Sequence, residues 1–199
     1  MEAAAKDLLR RILLSDRSHN PSDSALVLAA VMVLIYLKDG LYCILLNKRT
    51  DLVEHHKGEM SFPGGRKDEE DRTLLDTALR ETHEEMGVRP QDVEVLGRLN
   101  DTPTSSGFLI TPFVGTIPYP YEFSPSDEEV AEVLEVPLKD LLDEGSLRDE
   151  IRIVGGALAN APTYAHEGHL IHGATGRLLE QLTQRVSGAS GKEVLWART

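Results

Sequence analysis

The chain has one cysteine, one tryptophan and 21 basic residues set against 33 acidic ones, for a formal charge of −12. A single cysteine forms neither an internal disulfide nor a thiolate metal site, which fits a reducing compartment. Cys43, inside the apolar residues 41–46, reads as a small buried hydrophobe. The shortage of base argues against broad nucleic-acid binding, which needs a cationic footprint to displace counterions, so no DNA partner is expected. Long apolar runs are also missing. The longest, residues 25–37, falls short of the roughly 18 residues a spanning helix requires, so no membrane partner is expected. The first residues mix Glu2, Lys6, Asp7, Arg10 and Arg11, which is wrong for a secretory signal, and the last three match no sorting tripeptide. A cytoplasmic protein is the simplest expectation.

What is there suffices for one buried core. The 199 residues are 41% hydrophobic and 27% charged, ordinary values for one globular domain. Residues 3–14 carry Leu8, Leu9, Ile12 and Leu13 at helical spacing, and residues 18–22 break the pattern before a linker ends near 22. The apolar residues 25–37 and 41–46, joined through Asp39-Gly40, predict a hairpin buried on both faces. A polar loop over 47–64 leads to a helix over about 72–86, with Gly87 as its cap. Strands are expected at 93–99, 109–117, 129–136 and 151–154, a short helix at 137–142, a last helix at 175–186, and a mobile tail over 187–199. Elements alternate without regular βαβ spacing, so the expected class is α+β, a mixed sheet flanked by helices.

On the helix ending at Gly87, Glu81, Glu84 and Glu85 fall together beside the core-facing stripe, at i, i+3 and i+4. Neighbouring carboxylates at that spacing repel, and they crowd the helix end that disfavours negative charge. Several unfavourable choices on one face imply a ligand that offsets them. Three carboxylates without a thiolate select a hard divalent cation such as Mg²⁺ or Mn²⁺. Arg80, four residues before Glu84, can pair with it. On charge pattern alone the plainer reading, a solvated acidic face, is favoured.

The context of the spacing shifts that balance. Residues 80–88 read Arg-Glu-Thr-His-Glu-Glu-Met-Gly-Val after Gly64-Gly65, which resembles the end of the Nudix box, R-E-U-x-E-E-x-G-U, with Thr82 a mild departure. Fourteen residues separate Gly65 from Arg80 where the box has thirteen, leaving Asp71 as the nearest acid to its displaced early glutamate. This insertion is similar to the coenzyme A pyrophosphatase branch. So are Leu45-Leu46-Asn47-Lys48-Arg49-Thr50, Gly58 and Phe62-Pro63-Gly64-Gly65, and Ile171-His172-Gly173-Ala174-Thr175 further on. The resemblance spans roughly residues 25–185 and implies an α/β/α sandwich that hydrolyses a nucleotide-type pyrophosphate with Mg²⁺ or Mn²⁺. It implies Glu81, Glu84, Glu85 and the Gly65 carbonyl as metal ligands, Glu84 or Glu129 as general base, and Arg80 as support. Arg49, His56 and Phe62 would then face a small-molecule nucleotide substrate. Coenzyme A would yield adenosine 3′,5′-bisphosphate and 4′-phosphopantetheine.

Glu54 stands where the branch often has arginine, and His172 where it commonly has tryptophan. A carboxylate at 54 would repel the 3′-phosphate of coenzyme A, so poor discrimination between coenzyme A and its dephospho form is expected from that position. Rival readings are a pyrophosphatase for a dinucleotide, nucleotide sugar or capped RNA end, and a binding module that has lost catalysis; a homodimer is kept as a candidate assembly. His166, His169 and His172 recur every three residues, but loop or core histidines explain them better than zinc. Gly64-Gly65-Arg66-Lys67 lacks the spacing of a P-loop.

Overall fold

A computed structural model describes residues 3–14, 26–52, 56–143, 145–154 and 157–195. The expectations for Glu54, for the breaker at 18–22 and for residues 196–199 of the tail, Trp196 among them, lie outside the described residues. Helix α1 (Ala3–Leu14) precedes a hairpin of β1 (Val27–Lys38) and β2 (Leu41–Arg49). The short strands β3 (Met60–Ser61) and β4 (Gly64–Arg66) lead into helix α2 (Leu74–Met86). Strands β5 (Glu94–Arg98), β6 (Thr102–Pro103), β7 (Phe108–Thr116) and β8 (Val130–Pro137) complete the main sheet, and α3 (Leu138–Leu141) follows. A second sheet holds β9 (Leu147–Val154), β10 (Ala157–His166) and β11 (His169–Ile171), and α4 (Gly173–Gly188) comes after it.

The main sheet runs β3-β2-β1-β7-β5, with β4 also on β1, β6 on β7 and β8 on β2. It is mixed, because β1 pairs parallel with β7 and antiparallel with β2 and β4. Along β1, Val31, Val33 and Ile35 join the core beneath α1 and α4, while Ala30, Met32, Leu34 and Tyr36 join the core beneath α2. Both faces are covered, which is why the strand reads as an unbroken apolar run rather than an alternation. The helices sandwich the sheet as expected.

Three expectations change. The polar loop over 47–64 contains β3, which folds back on Asn47 and Lys48 of β2. The single strand foreseen at 151–154 is the end of β9 and pairs along its length with β10. Positive φ at Glu167 and Gly168 then turns β10 into β11, with Tyr164 and Ile171 buried. At the C-terminal end, Ser187 and Gly188 close α4 and Leu195 is buried, so the described part of the expected tail packs on the body.

Candidate active site

Helix α2 is fixed at both ends. Thr73 and Asp76 form a reciprocal capping box, and Gly87, at φ 71°, returns its N–H to the His83 carbonyl. The N–H groups of Ser124 and Ser126 donate to the Met86 and Glu85 carbonyls at 3.0 and 2.9 Å. The loop that leads to Glu129 is thereby hung on the same helix end. Thr50 holds that loop from the other side, its N–H on the Glu129 carbonyl and its hydroxyl on the Glu128 carbonyl.

Between these elements opens a cleft of about 520 Å³, with Ala29, Val31, Phe108 and Ile110 at its base. Glu81, Glu85, Glu129, Gly65, Arg49, His56 and Phe62 all line it. Glu84 does not; its half-exposed carboxylate sits outside, on Arg80. Glu85 is 1% exposed. Its Oε2 accepts from Asn47 Nδ2 at 2.8 Å and from the Gly64 N–H at 3.3 Å, while Arg49 Nη1 stands 3.6 Å from Oε1. Burial pushes this carboxyl from its ordinary 4.5 up to about 8, opposed by Arg49 and reinforced by the nearby charge of Glu129. Glu81 is also raised by burial, against the pull of Arg80.

A single guanidinium organises the rest. Arg80 Nε and Nη2 fork onto the two oxygens of buried Asp71 at 3.1 and 3.0 Å, and its Nη1 meets Glu81 and Glu84 at 2.9 Å each. Asp71, read from the sequence as the stand-in for a displaced glutamate, is the anchor of Arg80 here. Among the described residues no three acidic, histidine or cysteine side chains form a ready-made metal cluster; Arg49 and Arg80 stand against these carboxylates instead. His56 is turned onto Glu59 at 3.0 Å, and Phe62 is buried in the cleft wall. His166 and His169 face Asp140 and Glu132, apart from the cleft.

Gly65 lies in β4 opposite Ala30, not in a free turn. A Cβ on it would meet the Glu81 carboxyl at 2.6 Å, so the missing side chain is what lets that carboxylate lie against the strand. Gly65→Ala is expected to displace Glu81 and lower turnover while barely moving Tm, since the obstructing group is the end of a flexible side chain; kcat and Tm measured together check this. The raised Glu85 carboxyl also sets a pH trend. Between 4.5 and about 8 the folded, metal-free chain holds a proton that the unfolded chain has shed. Stability present in full below 4.5 is therefore lost as pH rises through 8. A metal-free Tm that climbs across pH 5–8 would contradict it.

Asn47, buried against Glu85 and bonded to Ser61 at 2.6 Å, was not singled out by sequence reasoning. Its position in β2, one residue past an apolar run and in register with β3, was the available signal. The family model described as the NUDIX domain matches residues 26–153. The chain belongs to the Nudix family. It is a Nudix hydrolase, an enzyme acting on phosphorus-containing acid anhydrides, and the family generally uses divalent metal ions and binds small nucleotide substrates. The chain is 36% identical over 143 residues to the "Uncharacterized Nudix hydrolase NudL" of Photorhabdus laumondii, covering 72% of this chain and 76% of that one. It is 37% identical over 147 residues to NudL of Yersinia pestis, covering 72% of each. Among solved structures, a Nudix hydrolase from M. smegmatis, RenU, superposes with TM-score 0.55 at 19% identity over 81% of this chain and 86% of that one. A MutT/nudix family protein from Enterococcus faecalis gives TM-score 0.54 at 18% identity over 94% and 73%. Both support the Nudix fold. No helix among the described residues is long and apolar enough to cross a membrane.

Proposed function

We propose that this Nudix hydrolase cleaves the phosphoanhydride of coenzyme A or a related coenzyme A species, releasing adenosine 3′,5′-bisphosphate and 4′-phosphopantetheine. The observation that carries the hydrolytic part is Glu85, a carboxylate 1% exposed in a cleft it shares with Glu81 and Glu129. A buried acid cluster of this kind is costly unless a cation joins it. All the donors are hard oxygens, which fits Mg²⁺ or Mn²⁺. Glu81 and Glu85 would hold the ion from inside the cleft, and Glu84 would join once it leaves Arg80. Bound there, the ion supplies positive charge against the anhydride oxygens.

Glu129 lines the cleft and carries no ion pair among the described residues, so we assign it the proton of the attacking water; Glu84, outside the cleft on Arg80, is the weaker candidate. Arg49 lines the cleft beside Glu85, with its Nε buried and without a hydrogen-bond partner among the described residues, and we assign it a substrate phosphate. His56 and Phe62 form the wall beyond it. The signature residues 45–65 support coenzyme A as the substrate. Mass spectrometry of products from a panel of pyrophosphate compounds tests the assignment, and the absence of both coenzyme A products beside turnover of another compound would reject it. EDTA is expected to abolish turnover, and millimolar Mg²⁺ or Mn²⁺ to raise Tm, because the ion binds only the folded cluster. Equal Tm and equal turnover with and without the ion would rule out the metal site.

A further inference from the structure

The end of the cleft away from the carboxylates is built around a cation that anhydride cleavage does not use. Arg177, in the second turn of α4, is partly buried and lines the cleft beside Thr104, Ser105, Ser106 and His172. One of its N–H groups donates to the Pro103 carbonyl at 2.9 Å. Among the described residues it has no other hydrogen bond and no ion pair. Several partly buried cations of the fold do have an acid: Lys6 and Arg10 have Glu94, Lys38 has Glu135, Arg49 has Glu85, and Arg80 has Asp71. Burial alone lowers the proton affinity of Arg177, with no carboxylate near enough to offset it. In a chain of charge −12 an arginine left half-desolvated without a counter-charge is an unfilled anion partner.

Its place is fixed. The Thr175 hydroxyl donates to the Met60 carbonyl at 2.9 Å, and Gln181 bonds to Asn100 and Thr102. A Cβ on Gly176 would lie 2.3 Å from the Pro162 carbonyl, so α4 seats directly on β10. The sheet register measures the span: Arg66, Ala29, Ile110 and Thr102 form one row across β4, β1, β7 and β6. Three strand spacings of about 4.8 Å separate β6, whose Pro103 carbonyl Arg177 holds, from the strand that carries Gly65. That spacing sets the Arg177 end of the cleft apart from the end that holds Glu81 and Gly65.

We propose that Arg177 is a specificity-determining residue that binds a second phosphate, a monoester on the nucleoside end of the substrate. The Ser105 hydroxyl, which has no hydrogen-bond partner among the described residues, adds a neutral donor from the facing loop. The inference rests on the reading of the cleft as the anhydride site. It also reverses the expectation attached to Glu54, since a substrate with a 3′-phosphate now meets a cation.

The test compares kcat/KM for coenzyme A and dephospho-coenzyme A in the native enzyme, Arg177→Gln and Arg177→Lys, with Tm confirming that each variant folds. The native enzyme is expected to favour coenzyme A about tenfold or more, the scale of a charge-assisted hydrogen bond. Arg177→Gln is expected to collapse that ratio, and Arg177→Lys to keep part of it. No native preference, an unchanged ratio in Arg177→Gln, or an equal fall on both compounds would overturn the proposal. If neither compound is cleaved, the coenzyme A reading fails separately, and calorimetry with adenosine 3′,5′-bisphosphate and 5′-AMP decides Arg177. Tighter binding of the bisphosphate that Arg177→Gln removes sustains the subsite, and equal native affinities overturn it.

Discussion

Glu85→Gln is expected to lower kcat by about a hundredfold or more while the protein stays folded, the scale of losing one major electrostatic stabiliser of a transition state. The substitution keeps shape. A glutamine oxygen can still accept from Asn47 Nδ2 and the Gly64 N–H, so the buried hydrogen bonds survive. What disappears is the charge that a divalent ion would neutralise. The metal-free Tm is therefore expected to hold or rise, and the Tm gain on adding Mg²⁺ or Mn²⁺ to shrink sharply. Glu69→Gln, on an exposed loop residue before α2, serves as the control and is expected to change neither quantity. If the two variants give the same kcat and the same response to metal, Glu85 is a structural acid and the assignment fails.

The second large effect is on stability. Arg80→Ala removes both hydrogen bonds to Asp71, whose side chain is 6% exposed, and leaves that carboxylate buried without its partner. Breaking a buried pair from one side costs about 3–5 kcal/mol. Arg80 itself is about one-third exposed, so about 2–3 kcal/mol is the better expectation, or roughly 5–10 °C in Tm for a chain of this size. Because Arg80 holds the Asp71 carboxyl below its ordinary 3.8, this stabilisation is present above that value and is lost as pH falls through the folded value. The acid limb of the native stability curve is thus expected to flatten in Arg80→Ala. Adding Asp71→Asn to that variant is expected to cost little more, and a double-mutant cycle reads the coupling directly. Additive losses would mean that the pair does not act as a unit. Turnover is also expected to fall, since Glu81 and Glu84 lose the cation that positions them.

Much of this was legible in residue order. The unbroken apolar run of β1 foretold a strand covered on both sides, and the Glu81, Glu84, Glu85 spacing with Gly87 foretold an acidic helix with a glycine cap. Strands β3, β4 and β6, at two or three residues each, are too short for a pattern to register, and they exist because longer strands offer them partners. β10 hid behind four alanines, an asparagine and Pro162, a composition of low strand preference that tertiary pairing with β9 overrides. Helical geometry put the three glutamates on one face, but only the packing shows Glu85 turned inward to Asn47 while Glu84 stays outside. Arg177 carries no local signal, because the role proposed for it depends on its having no ion pair among the described residues, which only the packing shows.

The hydrogen bonds of α4 have a consequence for how this scaffold can change. The helix hangs from β3, β6 and the residues near Asn100 through Thr175, Gln181 and Arg185, whereas the loop that presents Glu129 hangs from α2 and Thr50. If Arg177 binds the substrate as proposed, the cleft has a reaction face on α2 and a reading face on α4, each hung from different strands. On the proposal for Arg177, exchanging residues 104–106 or Arg177, with Thr175 and Gly176 kept as the seat of the helix, alters what is admitted more than how it is cut. Such a division lets one hydrolytic apparatus be fitted to a series of substrates by replacing its far wall.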